Sequence, residues 1–357
     1  MEVRSWSSWL LRLPSLRTSA DKDGAQFEIV GVTLESDGET GSGFCWVGDT
    51  GVGSSVRALL DDVLLPRLAG RSALDAAAIW QETYLATHRA GDGVNRFAMS
   101  AIDIALWDLR ARTRGISLAR EIGQLRETVP AYGSGKAGVK LDIDQLVELS
   151  TGYAAQGFHG VKVRVGLEPA RDGERIRAVR AAVGDDVKIM CDANERLDLP
   201  TALELGRTFV DAGVHWFEEP LRSTDIDGHA QLAATLPLAI AGGEHHHSAS
   251  GFVPYAQRRA FSVFQPNIGL VGGVTEMIRI ARLAELHGIA YAPQAIHELH
   301  VHLAAATPAA TYLEYFPFLE PFLERSVEVR NGDLVVPDGP GHGVAFTEET
   351  FDRYRVT

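Results

Sequence analysis

The sequence predicts an α/β fold in which a parallel βα barrel follows a smaller α+β region, and three observations carry that reading. Three apolar runs, VKIMCDAN, VHWFEEP and LPLAIAGGE, end in acids at Asp192, Glu218 and Glu244, spaced at two equal intervals of 26 residues. Such an interval holds one strand, one helix and two short loops. From residue 129 onward, strand-like and helix-like segments alternate, giving about eight strands over a length typical of one barrel. Before residue 129 the pattern is different, with paired strand runs followed by helical periodicity.

In chain order, Val3–Leu13 and Phe27–Gly48 read as strands, and SDGETG at Ser36–Gly41 supplies the turn chemistry of a small antiparallel sheet. The polar segment Pro14–Gln26, with Arg17, reads as a loop, and helical periodicity then runs through Ser54–Leu68, Ala73–His88 and Arg96–Arg114. Pro130–Gly133 and Gly160–Val165 are the first barrel strands, with a helix over Asp142–Gln156 between them. After the three acidic units, FSVFQPN leads to Asn267, IAYAPQ ends at Gln294, and TYLE ends at Glu314. The expected division is a capping domain over 1–128, a barrel over 129–314, and a tail over 315–357 that packs back on the cap.

Across 357 residues the chain has a net charge of −13, which argues against nucleic acid or an anionic membrane as partner, since both need a basic footprint. The opening MEVRSWSSWLLRLPS lacks an apolar core followed by a small-residue cleavage site, and no run approaches a membrane span. Only Cys45 and Cys191 are present, too few for a disulfide framework or a thiolate metal site, so a cytoplasmic protein is expected.

In a parallel barrel the carboxyl ends of the strands converge on one mouth, so Asp192, Glu218 and Glu244 would face one another and repel. A hard divalent cation such as Mg²⁺, which takes oxygen ligands octahedrally, resolves the repulsion. The alternative is that each acid pairs with a local Lys or Arg. Lys162 and Arg164, two apart on one strand, point into the same mouth.

At this point the chain resembles the enolase superfamily, on its mandelate racemase side. MSAIDIALWDLRARTRGISLAREIG at Met99–Gly123 is similar to the helix and connector that join that family's cap to its barrel. VKVRVG, CDAN, WFEEP, AGGEH, QPNIGLVGGVTE and HLAAATP follow in the family's order and spacing. The resemblance implies a TIM-like (β/α)₇β barrel with an α+β cap, Mg²⁺ on Asp192, Glu218 and Glu244, and a symmetric homo-oligomer. It also implies a first step in which a carbon acid beside a carboxylate loses its proton to give an enediolate.

The departures from the family pattern shape the expected mechanism. Arg164 stands where many members carry a second lysine; guanidinium stays protonated to pH ~12, so it suits clamping a carboxylate in a two-bond fork rather than acting as a base. Lys162 is then the expected base, its pKa lowered by the metal and by Arg164. Asn267 and Gln294 match positions where many relatives place an Asp–His base pair, and neither amide titrates usefully. A two-base racemase is therefore not expected. His245 is the chosen acid for a departing hydroxyl, and Glu314 matches a position where a carboxylic acid donates a hydrogen bond to the substrate. Arg17, Tyr132, Asn194, Asn267, Gln294 and His297 complete the expected substrate pocket, with Tyr132 alternatively a buried core side chain and His297 alternatively a second acid candidate or a polar residue packed under the loop. The resulting expectation is a Mg²⁺-dependent carbon–oxygen lyase, a dehydratase removing water from a small polyhydroxy acid. The alternative is a metal-binding member of the superfamily with non-standard chemistry or none.

Overall fold

The computed structural model describes residues 1–15, 26–135 and 140–357. The cap opens with a meander of β1 (Ser5–Pro14), β2 (Gln26–Ser36) and β3 (Glu39–Gly48), paired antiparallel in the order β1-β2-β3. Asp37 and Gly38 both take positive φ in the two-residue turn between β2 and β3, as a tight hairpin requires. Helices α1 (Gly53–Leu59), α2 (Ala76–Thr87) and α3 (Val94–Thr113) follow, and α3 lies across the sheet with Ala98, Ala101, Ile102 and Ala105 buried against it. The periodicity of Ser54–Leu68 predicts one helix, but regular α geometry stops at Leu59. Leu60–Leu64 widens into a π turn and Leu65–Leu68 tightens into a 3₁₀ turn. Pro66 accounts for the break, since it has no N–H to donate and its ring crowds the preceding turn.

A short connector helix, α4 (Leu118–Ile122), leads to the barrel. Its strands are β4 (Thr128–Gly133), β5 (Gly160–Arg164), β6 (Lys188–Asp192), β7 (Trp216–Glu218), β8 (Ala239–Gly242), β9 (Val263–Phe264), β10 (Ala290–Tyr291) and β11 (Leu313–Tyr315). Each of β4 to β9 pairs parallel with the next, β11 pairs parallel with β4, and an isolated parallel bridge from Tyr291 on β10 to Ala310, just before β11, closes the ring. The crossovers are α5 (Ile143–Ala155), α6 (Pro169–Val183), α7 (Leu199–Asp211), α8 (Ile226–Thr235), α9 (Ala249–Gln257), α10 (Ile268–Val271) with α11 (Val274–His287), and α12 (His297–Ala305). This is a (β/α)₇β barrel with an α+β cap. No helix among the described residues is long and apolar enough to cross a membrane, and Cys45 and Cys191 are buried free thiols.

The tail does more than return to the cap. It first forms β12 (Val329–Arg330) and β13 (Asp333–Val335), and β13 adds antiparallel to β4. Only then does α13 (Glu348–Tyr354) reach β1, where Trp9 meets Phe346 and Phe351 edge-on. The cap is fixed to the barrel through the turn after α10. Asp103 on α3 accepts hydrogen bonds from Thr275 N (2.8 Å) and Thr275 Oγ1 (2.6 Å), and Trp80 Nε1 donates to Gly272 O (2.8 Å). Gly273 there has φ +90°, and a Cβ would lie 2.6 Å from Asp103, so both conformation and space require glycine.

His302 on α12 ties connector, barrel and tail together. Its Nδ1 accepts from Ala119 N (3.2 Å) and its Nε2 donates to His342 O (3.0 Å), which specifies the neutral ring. Burial pushes its pKa down to about 4. The unfolded chain protonates this ring near pH ~6.5 and the folded chain does not, so the contribution to stability is present above that pH and is lost on acidification toward pH 4. Urea unfolding is expected to show about 2 kcal/mol of lost stability from this group between pH 7 and pH 5. His302→Gln should flatten the dependence by that amount; an unchanged slope would remove His302 from the account.

Candidate active site

Strand alternation decides which side chains reach the barrel mouth. On β5, β6 and β7, Val161, Val163, Ile189, Cys191 and Phe217 pack outward into the core beneath the helices. Met190, Trp216, Ala241, Val263 and Ala292 pack together inside the barrel with Tyr132. Two residues further along each strand, the same inward phase brings Asp192, Glu218, Gln265 and Gln294 to the carboxyl-end mouth. Register places Arg164 beside Asp192 and Asp192 beside Glu218.

Lys162, Asp192, Glu218 and Glu314 form one buried ion cluster. The Lys162 ammonium lies 2.6 Å from Glu314 Oε1, 3.0 Å from Glu218 Oε1 and 3.4 Å from Asp192 Oδ2. Arg164 Nη1 adds a 2.8 Å contact to Asp192 Oδ2. Burial alone would lower the Lys162 pKa, but Glu218, Glu314 and Asp192 together outweigh it and hold the ammonium well above its ordinary range. The expected depression by Arg164 is therefore reversed in this structure: three carboxylates surround the amine, and Arg164 is bonded to one of them.

The same field sorts the acids. Burial would raise Asp192 and Glu314, yet Lys162 and Arg164 draw both carboxyls below their ordinary range. Glu314 accepts from Ala295 N at Oε2 (2.6 Å) and faces Lys162 at Oε1, so it is a charged acceptor here, not the hydrogen-bond donor expected from sequence. Glu218 is pushed up to about 8 by burial and by the charge of Asp192. With Glu244, four acids face two cations, an excess of negative charge that suits an oxygen-liganded divalent ion.

Glu244 follows β8 in a half-buried turn, with its charge acting on Arg164, Glu219 and His245. Among the described residues, Asp192, Glu218 and Glu244 do not gather their oxygens into one tight cluster; the group that does is Glu195, Glu219 and His245, within 4.8 Å of one another. His245 Nδ1 lies 3.0 Å from Glu219 Oε1 and 3.7 Å from Glu195 Oε1, so the expected acid is bonded to a neighbouring pair of carboxylates and makes no contact with the Lys162 cluster. Asn194, Glu195 and Glu219 take φ values of 42°, 61° and 41°, a left-handed backbone that non-glycine residues adopt at a cost of about 1–3 kcal/mol each. Turning the chain this way directly after β6 and β7 separates the Glu195–Glu219 pair from Asp192 and Glu218.

The remaining expected residues divide between lining and support. Asn194 accepts from Arg164 Nη1 and donates its backbone N–H to Asp192 Oδ1 (2.9 Å), so it braces the cluster. Tyr132 is fully buried with its hydroxyl unpartnered, and burial, then Glu314, raise its pKa. Asn267 uses Oδ1 to cap α10 through Gly269 N (2.9 Å), leaving Nδ2 without an acceptor; Gln294 Nε2 is likewise unpartnered. His297 is fully buried, 3.6 Å from both Glu298 and Glu320, and contributes no contact to the mouth, in line with the packed alternative. Arg17 lies outside the described residues. Gln265 had no assigned role from sequence; it is buried with both amide atoms unpartnered, leaning toward Glu218. Its phase with Val263 and Asn267 was the available signal.

Comparison with known proteins follows the same architecture. Residues 145–350 match the family described as enolase C-terminal domain-like, and residues 9–123 match the mandelate racemase / muconate lactonizing enzyme N-terminal domain. An L-talarate/galactarate dehydratase of Salmonella typhimurium is 34% identical over 90% of this chain and 81% of its own length. A 3,6-anhydro-alpha-L-galactonate cycloisomerase of Streptomyces coelicolor is 32% identical over 97% of this chain and 98% of its own. The crystal structure of L-talarate dehydratase from Polaromonas, complexed with Mg and L-glucarate, superposes with a TM-score of 0.92 at 34% identity, covering 99% of this chain and 98% of that one.

Proposed function

This chain belongs to the enolase superfamily, in its mandelate racemase / muconate lactonizing enzyme family, and from that premise we propose a Mg²⁺-dependent carbon–oxygen lyase that acts on sugar acids. The observation that carries the reading is the Lys162 ammonium, fixed by Asp192, Glu218 and Glu314 on one side of a mouth whose opposite side is lined by amides. The names of the relatives support it: dehydration and cycloisomerisation of sugar acids both break a carbon–oxygen bond β to a carboxylate after the α-proton is lost.

Asp192, Glu218 and Glu244 are the proposed metal ligands, all oxygen donors from neighbouring barrel units, as a hard cation prefers. Bound magnesium supplies a Lewis acid that offsets the charge building on the substrate carboxylate as the α-proton departs. Arg164 grips that carboxylate, since a guanidinium offers two parallel N–H donors and does not give up its proton. Lys162 is the proposed base; it would take the α-proton only once a cation on Asp192, Glu218 and Glu244 offsets the carboxylates that hold its ammonium charged, and Glu314 holds its nitrogen in position. Asn267 and Gln294 cannot take or return a proton across the site, so the proposed chemistry runs on one face and ends in elimination, not inversion.

The test is a library of aldonates and aldarates incubated with Mg²⁺-loaded protein in D₂O, read for 2-keto product and for exchange of the α-proton by NMR. Product from at least one acid is expected. Exchange without product would leave an enolising protein whose leaving group is wrong, and neither signal from folded, metal-loaded protein would favour the metal-binding alternative and sink the proposal.

A further inference from the structure

We propose that the buried Asp172–Arg175 ion pair on α6 is a positioning device for Arg164: it stands in for a missing strand neighbour at the end of β5 and so fixes the guanidinium that grips the substrate carboxylate. The inference rests on the clamp role given to Arg164 above and names the pair that holds the clamp in place.

β5 reaches the mouth with a strand partner on one side. On the β6 side the pairing runs from Gly160 to Arg164, and Val165 N still donates to Asp192 O (2.8 Å). On the other side, among the described residues, β4 pairs with β5 at Gly160 and Val161 and no further. Lys162 and Arg164 therefore lie beyond the β4 ladder. Peptide groups alternate in direction along a strand, so with Val165 N turned to β6, Arg164 O and Gly166 N face the side that β4 has left. In a parallel ladder one residue of the neighbouring strand would satisfy both, donating its N–H to the first and accepting from the second at its carbonyl.

The pair on α6 does the same with side chains. Arg175 Nη1 donates to Arg164 O (3.0 Å), Asp172 Oδ2 accepts from Gly166 N (2.7 Å), and Arg175 Nη1 also donates to Asp172 Oδ1 (2.8 Å), which links the two. Both side chains are buried, with Arg175 6% and Asp172 1% exposed, and Arg175 Nε and Nη2 have no partner. Replacing a buried ion pair by uncharged groups is often neutral or stabilising, so stability alone does not account for this one. Its contacts fall on the peptide groups that flank Val165, directly behind the point where the Arg164 side chain leaves for Asp192 Oδ2 (2.8 Å) and Asn194 Oδ1. Lys162 is anchored differently. Its ammonium is held by carboxylates from β6, β7 and β11, so loosening the end of β5 moves Arg164 more than Lys162. The signature is a loss of carboxylate affinity with the rate of proton transfer largely kept.

The experiment uses Mg²⁺-loaded protein and tartronate, a small 2-hydroxy diacid with one α-proton, with Kd read by calorimetry and α-proton exchange in D₂O by NMR. Arg175→Met alone strands the Asp172 charge, so the informative variant combines Asp172→Asn with Arg175→Met: the amide oxygen still accepts from Gly166 N, and no charge is left unpaired. Its thermal midpoint should match or exceed wild type, its Kd should rise roughly 10-fold, and its exchange rate at saturation should stay within about threefold. Arg175→Lys, whose ammonium can still donate to Arg164 O beside Asp172, should recover most of the affinity. Arg164→Gln should raise Kd at least as much as the double variant. Adding the double variant to Arg164→Gln should then change Kd by less than about twofold, because a pair that acts through Arg164 has nothing left to position. A double variant that unfolds, one with wild-type Kd, or one whose penalty persists in Arg164→Gln would overturn the positioning role while leaving the clamp intact. Arg164→Gln with unchanged Kd would remove the clamp itself, and wild-type protein that does not bind tartronate would remove both.

Discussion

Replacing Lys162 with methionine is expected to lower kcat by roughly 10²–10⁴-fold and to abolish α-proton exchange, and at the same time to destabilise the metal-free protein by about 3–5 kcal/mol. The two effects have separate causes. Turnover falls because the side chain placed to take the proton is gone. Stability falls because Asp192, Glu218 and Glu314 all contact the one ammonium at 3.4 Å or less and are buried, so its removal leaves carboxylates without compensation. Lys162→Arg separates the causes. Guanidinium preserves the counter-charge but does not release a proton near neutrality, so much of the stability should return and the turnover should not. Urea unfolding after chelation, paired with exchange kinetics in Mg²⁺, reads both quantities. If Lys162→Arg keeps wild-type exchange, Lys162 is only a counter-ion and the base lies elsewhere.

The barrel was legible in the sequence because its strands obey two simple periodicities at once. Val161, Val163, Ile189 and Cys191 mark the outer phase, while Lys162, Met190 and Asp192 mark the inner one, so the side chains at the mouth follow from counting. The capping helices were legible from their apolar spacing until Pro66, where a single missing donor changes the helix type and periodicity cannot register it. The tail was read only in part, because the pairing of Asp333–Val335 with β4 is a contact across some 200 residues that no local pattern encodes.

Within the site, identity was easier to read than state. Asp192, Glu218, Lys162 and Glu314 stand together as the strand ends imply, but whether Glu314 donates or accepts depends on which cation sits beside it, and that is set by distances. His245 shows the same limit. Sequence adjacency to Glu244 suggested a place in the chemistry, whereas the left-handed turns at Glu195 and Glu219 draw its imidazole to a different pair of acids. Gln265 could be placed at the mouth by phase, but its unpaired amide appears only when the neighbours of both atoms are known.

Asp192→Asn is expected to remove Mg²⁺-dependent stabilisation altogether. At Mg²⁺ about 100-fold above its Kd, the wild-type protein gains about 2.7 kcal/mol by linkage, and the variant, having lost one of three anionic ligands, should gain almost nothing. Metal-free stability should also fall. Asp192 Oδ2 receives Arg164 at 2.8 Å and faces Lys162 at 3.4 Å, so an amide in its place presents N–H groups to two cations or turns over and loses the 2.9 Å bond from Asn194 N. Arg164 keeps a quarter of its side chain in solvent, which moderates the cost of leaving it unpaired, whereas Lys162 keeps one part in a hundred. Most of the loss should therefore come from Lys162. A double-mutant cycle separates these terms: adding Arg164→Gln to Asp192→Asn should cost less than the two single changes together, by about 0.5–3 kcal/mol, because the second change removes a charge that the first had stranded. Strict additivity would mean that Asp192 and Arg164 do not act as a pair. A Mg²⁺ response retained in Asp192→Asn would mean that the ion is held by other acids, and the ligand set proposed for this barrel would have to be redrawn around Glu195 and Glu219.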